Sequence, residues 1–163
     1  MSKRVIVLAT LTALIGLGLF GVASARHGVL ITDMDGTQEI NSETGEGGAG
    51  DADGAGKAKI RLLPDSDQVC FRVSWSNIGA PTASHIHEAD RGSNGGVVVT
   101  LFSGGDTPLP ESISAVNGCA GEVSDELSDR IRNNPKSFYV NVHNPEFPGG
   151  AIRGQLRHAP RRR

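Results

Sequence analysis

The stretch that decides the fold runs from Lys57 to Trp75 and reads KAKIRLLPDSDQVCFRVSW. Apolar and polar residues alternate in its first half, and a second alternating run follows the turn sequence PDSD. Because successive side chains of a strand point to opposite faces, each run predicts a half-buried strand with one wet face. Two such runs joined by a short turn predict a hairpin, whose second strand places these apolar side chains on one face: Val69, Phe71, Val73 and Trp75.

Further short strands are predicted on both sides of this hairpin, separated by turns rich in glycine and proline. They read VLIT, ASHIH, VVVTLF, SFYVNVH and AIRGQLR. One segment has helical spacing instead, and it predicts a helix from Asp125 to Asn133 that Ser124 or Ser128 can cap and that Asn-Asn-Pro ends. The pattern therefore predicts an all-β fold, a Greek-key-like antiparallel β-sandwich with one short helix before the last strand pair.

The first 25 residues indicate the compartment. A basic start, MSKR, precedes a long run without charge, and the small residues of Ala23–Ala25 form a cleavage signature. This is typical of a secretory signal peptide cut before Arg26, although the run is also nearly long enough for a retained transmembrane anchor. We expect a signal peptide over 1–25, a domain over 26–157 and a basic tail over 158–163. The mature chain would be secreted, periplasmic or held in the cell envelope, without a membrane span.

Charge argues against nucleic acid as a partner. The chain has 16 basic and 18 acidic side chains, and cleavage would remove Lys3 and Arg4 but no acid. The mature chain then carries four more acids than bases, so it lacks a general positive field.

Two cysteines, Cys70 and Cys119, lie 49 positions apart. An even count in an exported chain suggests a disulfide, which on the chain-entropy model would stabilise the fold by roughly 4 kcal/mol. The alternative is a pair of metal-binding thiolates, but no Cys-x-x-Cys spacing supports it.

Three histidines are candidate metal ligands. His85 and His87 alternate with Ile86 in a predicted strand, so both imidazoles point to one face, and His143 shares a face with Tyr139 and Asn141 in another strand. If the two strands are neighbours, three neutral nitrogens could hold copper or zinc. The competing interpretation is that the rings donate hydrogen bonds to backbone carbonyls and support the turns EADRGSNGG and NPEFPGG.

Other polar and glycine positions have predicted structural roles. Arg153 faces away from its apolar neighbours in the last strand, and we expect it to pair with a carboxylate from this set: Glu39, Glu88 or Glu146. Gly149 and Gly150 are expected to meet a need for positive φ or for close backbone approach. We also expect a structural role for Asn141.

The longest motifs resemble the CHRD domain, the module named after chordin. ASHIHEADRGSNGGVVVTLF and NNPKSFYVNVHNPEFPGGAIRGQL carry the resemblance, and GTQEI and GDADGAGKAKIRL fit the family's earlier segments. The likeness covers roughly residues 28 to 157, and the cysteine pair resembles one seen in many bacterial members. It implies a compact β-sandwich outside the cytoplasm. It does not imply a defined activity.

No enzyme signature accompanies these motifs. The chain has no Gly-x-Ser-x-Gly, phosphate loop or His-Glu-x-x-His, and only Glu88 stands beside the histidines as a candidate base. We therefore expect a non-catalytic binding or structural module without a cofactor, whose partner is an unidentified extracellular or envelope protein. The alternative is a copper- or zinc-binding domain that uses His85, His87 and His143.

Overall fold

The computed structural model describes residues 28–63, 66–105 and 107–160. Within them the chain forms nine strands and one α-helix: β1 (Val29–Asp35), β2 (Ala55–Leu63), β3 (Gln68–Ser76), β4 (Ala83–Glu88), β5 (Val97–Ser103), β6 (Ala115–Ala120), α1 (Asp125–Asn133), β7 (Phe138–His143), β8 (Ile152–Gln155) and β9 (Arg157–His158). The helix has its predicted bounds. The predicted signal peptide lies outside the described residues, as do residues 161–163 of the predicted tail.

All the strand pairs are antiparallel, and hydrogen bonds connect the strands in the order β5-β4-β7-β8-β1-β2-β3-β6. Strand β9, which contains the first residue of the predicted tail, pairs with β1. The end strands β5 and β6 contact each other, so the path of strands nearly closes. The predicted all-β antiparallel fold with one helix before the last strands is confirmed, with the two layers joined through the β1–β8 pair.

The predicted hairpin is the β2–β3 pair, in which Ala55 to Leu63 lie opposite Gln68 to Ser76. Its apolar side chains are buried while Lys59, Arg61 and Arg72 are exposed, as the alternation predicted. Strands far apart on the hydrogen-bonded path meet in the core, where the rings of Trp75 and Phe102 lie 5.9 Å apart between centroids. The core is therefore enclosed between two layers of strands.

The predicted disulfide joins β3 to the end strand β6. Cys70 and Cys119 lie opposite each other in the register of these strands, with their Cα atoms 3.9 Å apart. The bridge therefore links neighbouring strands that are 49 positions apart in sequence.

Helix α1 connects β6 to β7. Of the two predicted capping residues, Ser124 accepts a hydrogen bond from the backbone N–H of Leu127, whereas Ser128 is buried together with Ile131. Neither this helix nor any other in the described part of the chain is long and apolar enough to cross a membrane.

Candidate functional site

The pairing of β4 with β7 brings the three candidate histidines together. In this antiparallel pair Ala83 lies opposite His143 and His85 lies opposite Asn141. Ile86 is fully buried in the core, so His85 and His87 project from the opposite face of the sheet, as predicted. The sequence could not show that these strands are neighbours, since 49 residues that include β5, β6 and α1 separate them.

The imidazole nitrogens converge on one point. Nδ1 of His85 lies 3.1 Å from Nε2 of His143, and one nitrogen from each ring of His85, His87 and His143 lies within 4.8 Å of the other two. A copper or zinc ion bound at about 2.0–2.1 Å would hold neighbouring nitrogens roughly 3 Å apart. The three rings thus come close to the spacing that a single ion needs.

The outer nitrogens of two of these rings hold the neighbouring turns. Nδ1 of His87 donates to the carbonyl of Gly95 at 2.9 Å, and Nδ1 of His143 donates to the carbonyl of Pro148 at 3.0 Å. Because a carbonyl oxygen only accepts, these bonds place the proton on Nδ1 and leave Nε2 of each ring as an acceptor that faces the cluster. The two competing interpretations are therefore compatible, since one nitrogen of each ring supports a turn while the other faces the cluster.

All three rings are held in the neutral form that a metal ligand requires. Burial lowers the pKa of His85 to about 4, and the neighbouring His143 and His87 add to the effect. Burial also lowers the pKa of His87, against the bonds to Gly95 and Asn141 that favour its charged form. The pKa of His143 is lowered by burial and by His87.

Asn141 lies next to the histidine cluster, opposite His85 in the strand register and in contact with the ring of His87. The Oδ1 atom of its side-chain amide is 3.1 Å from Nε2 of His87, and its backbone carbonyl accepts a hydrogen bond from Ser84 at 2.7 Å. With the proton of the neutral ring on Nδ1, Nε2 has none to donate to this oxygen, so the neutral ring bonds Asn141 when the amide is turned over and its NH2 faces the ring. An ion bound at the cluster would have to displace this contact.

The ring of His87 belongs to a stacked column of three side chains, which Tyr139 and Arg153 complete. Its ring stacks on Tyr139 with centroids 4.7 Å apart and planes within 4°, and the Arg153 guanidinium lies 3.4 Å from the centre of the Tyr139 ring. This column could not be predicted from the sequence, because it depends on the register of three strands. The column fixes the orientation of the His87 ring.

The prediction that Arg153 pairs with a carboxylate is wrong. Arg153 is 1% exposed and donates to the side chain of Asn94 and to the backbone carbonyls of Asp90 and Ser93. Among the described residues, no carboxylate lies within ion-pairing distance of it. The reason is geometric, since the register of β8 places the guanidinium under the turn between β4 and β5, whose carbonyls point inward.

The prediction for the two glycines holds at Gly150 and fails at Gly149. Gly150 has φ +142°, and a Cβ there would lie 2.2 Å from Oε1 of Glu39, so both expected reasons for a glycine apply. Gly149 has neither a positive φ nor any atom within 4 Å of a Cβ position, so that prediction is wrong. Of the two glycines in this turn, only Gly150 occupies a position that requires a glycine.

The site offers three imidazole nitrogens as possible metal ligands. The Glu88 carboxylate, the acid nearest in sequence, bonds Arg130 on α1. An ion at the cluster would have room for a further ligand, as three protein ligands leave a tetrahedral position open.

A sequence model of the family described as CHRD domain matches residues 30–156, almost the whole described domain. No curated protein and no solved structure gave a match.

Proposed function

The chain belongs to the CHRD domain family, and from this premise we propose that it is an exported, non-catalytic binding module that holds one copper or zinc ion. The ligands are His85, His87 and His143. The observation that carries the proposal is the convergence of three neutral imidazole nitrogens within 4.8 Å. Imidazole suits both ions, and the absence of a cysteine thiolate or methionine from this group agrees with a set of nitrogen ligands.

The carbonyl bonds of His87 and His143 strengthen this proposal. Metal-ligating histidines usually donate their second ring N–H to a carbonyl or carboxylate, which fixes the tautomer and the ring orientation. Here Gly95 and Pro148 supply those carbonyls before any ion is present. Little reorganisation is therefore needed when an ion binds.

Calorimetry on untagged protein at pH 7.5 tests the proposal. We expect uptake of one copper or zinc ion per chain, weakened at least about tenfold in His87→Gln because one of three ligands is lost. His158→Gln is the matched control, since His158 is exposed on β9 and far from the cluster in sequence. A folded wild-type protein that takes up neither ion would contradict the proposal.

The second candidate function is binding of an extracellular or envelope protein, with the histidines as supports for the turns. The observation that favours it is that His87 and His143 each hold a turn whose outer residues, among them Arg91, Ser93 and Glu146, are exposed and polar. In that case His143→Ala lowers the melting temperature by the same amount with copper, with zinc and with a chelator. A metal-dependent rise in the wild-type melting temperature, lost in the variant, would favour the first candidate instead.

Export is supported by the disulfide, because such bonds persist in oxidising compartments. We expect the intact mass of the natural product, recovered from outside the cytoplasm, to correspond to a chain that begins at Arg26. A cytoplasmic product of full length with free thiols would contradict this part of the proposal.

A further inference from the structure

A polar cavity lies near the histidine cluster, beside the turn that contains Pro148. It has a volume of about 390 Å³ and is bounded by the loop after β1, the β7–β8 turn and Asn94 of the β4–β5 turn. Its charged lining residues are all acids: Glu39, Glu43 and Glu146. Ile40 and Phe147 add apolar surface to the wall. This volume is in the range of sites for small organic ligands.

Glu39 is the unusual group in this cavity. It is 3% exposed, and its buried oxygen Oε1 has no hydrogen-bond partner among the described residues. Buried polar atoms are almost always hydrogen-bonded, since an unpartnered one costs about 1–3 kcal/mol. The nearby Arg153 does not relieve this, because its guanidinium hydrogens are directed at Asn94 and at backbone carbonyls. Glu39 thus has an unmet need for a donor.

The carboxyl group of Glu39 packs directly against the backbone of Gly150. A Cβ at position 150 would lie 2.2 Å from Oε1, so the carboxyl group can take this position only because residue 150 is a glycine. Burial raises the pKa of Glu39 to about 7, against the attraction of Arg153. A positive ligand would remove this penalty by pairing with the ionised form.

The geometry distinguishes an organic cation from a metal ion. In the described part of the chain, the histidines alone form a group of three or more possible metal ligands that lie close together, so the three acids do not surround a common point. Glu43 and Glu146 are exposed at the cavity's rim, whereas Glu39 is buried. A cation that carries its charge at the end of an apolar stem matches such a site.

We propose that this cavity binds an alkylammonium group, with the charge paired to Glu39 and the methylene stem packed against Ile40 and Phe147. A free amine and the lysine side chain of a protein partner share this chemistry. The inference is independent of the metal site, because none of the three histidines lines the cavity.

Calorimetry and amide chemical shifts on the purified, oxidised protein at pH 8 with a chelator test the proposal. The probes are n-butylammonium, n-butanol as its neutral counterpart, and N-acetyl-lysine-N-methylamide. We expect saturable binding of butylammonium, with butanol at least about tenfold weaker because it cannot pair with a carboxylate. Binding of the lysine derivative as well would identify a protein side chain as a ligand that fits, whereas its exclusion would identify a free amine.

Variants assign the binding to Glu39. Glu39→Gln should weaken butylammonium binding at least about tenfold, whereas Glu111→Gln, which removes an exposed charge outside the cavity, should leave it unchanged. If Glu39→Gln fails to fold, Glu146→Gln at the rim should still weaken binding measurably. Equal affinity for butanol and butylammonium, no saturable binding of butylammonium, or wild-type binding by a folded Glu39→Gln would overturn the proposal.

Discussion

The buried polar side chains of this domain illustrate how one residue can connect several loops. Arg153 reaches three residues of the β4–β5 turn while its guanidinium covers Tyr139, and Tyr139 in turn supports His87. A planar group with five donors can satisfy several inward-pointing acceptors at once. Such a residue orders the histidine cluster without contacting an ion.

Gly154 and Gly149 form a matched pair at the residue scale. A Cβ on Gly154 would lie 2.2 Å from the carbonyl oxygen of Asp33, so Gly154→Ala should lower the free energy of unfolding by about 1–3 kcal/mol. Gly149→Ala meets no atom within 4 Å and should change it by no more than about 0.5 kcal/mol. Urea unfolding measures both, and equal costs for the two variants would contradict the close approach of β8 to β1.

The neutral histidines predict a loss of stability in acid. The unfolded His85 ring binds a proton near its usual pKa of 6.5 and the folded ring only near a pKa of about 4. Between these values the unfolded state binds more protons, so the free energy of unfolding falls as the pH falls from 6.5 to 4. The lowered pKa values of His87 and His143 act in the same direction.

Urea unfolding at several pH values with a chelator tests this, with His85→Asn as the variant. The raised pKa of Glu39, about 7, has the opposite effect, because its contribution is full below 4.5 and is lost as the pH rises to 7. Wild type and variant share Glu39, so the difference between their curves isolates His85. A curve of His85→Asn as steep as that of the wild type would show that His85 titrates normally.

At the scale of elements, strand pairing assembles the site and helix α1 closes the connection between β6 and β7. The helix is short, so its stability depends on its cap and on the burial of the Ile131 side chain. Its two serines have the same chemistry but different environments. Ser124 caps the first turn, whereas the Ser128 hydroxyl is buried without a hydrogen-bond partner among the described residues.

Substitution of each serine by alanine separates these environments. Ser124→Ala should lower the free energy of unfolding by about 1 kcal/mol, because the N–H of Leu127 loses its acceptor. Ser128→Ala should leave it unchanged or raise it, because it removes a buried hydroxyl that has no partner. Thermal unfolding followed by circular dichroism is sufficient, and a larger loss for Ser128→Ala would mean that its hydroxyl has a partner.

On the scale of the whole molecule, the long path of strands must be held at its ends. Strand β6 is an end strand in which no side chain is fully buried, and only Val116 and Ala120 pack against the core. The Cys70–Cys119 bond attaches it to β3. The disulfide therefore attaches an end strand that buries little apolar surface of its own.

The double variant Cys70→Ala, Cys119→Ala should lower the free energy of unfolding by about 2–4 kcal/mol, since the unfolded chain regains the freedom of a 49-residue loop. Reduction of the wild type should have an effect of similar size. Equilibrium unfolding in urea measures the change. An unchanged midpoint in both experiments would show that the bond does not contribute to the stability of the fold.

Alternation along single strands determined much of this protein. The side chains from Lys57 to Trp75 specified their own faces, the Asp125–Asn133 segment specified its helix, and Ile86 placed its two histidine neighbours on one side. These properties follow from the local geometry of the backbone, which repeats every two residues in a strand and every 3.6 in a helix. No long-range contact is needed to obtain them.

Only the tertiary structure decided which strands are neighbours, and hence what the polar residues do. The register of β4 against β7 brought His143 to His85, and the register of β8 placed Arg153 under carbonyls rather than beside a carboxylate. The same packing buried Glu39 under Gly150. Contacts between residues far apart in sequence depend on the pairing of whole strands, and side-chain alternation fixes the face of a residue but not its partner.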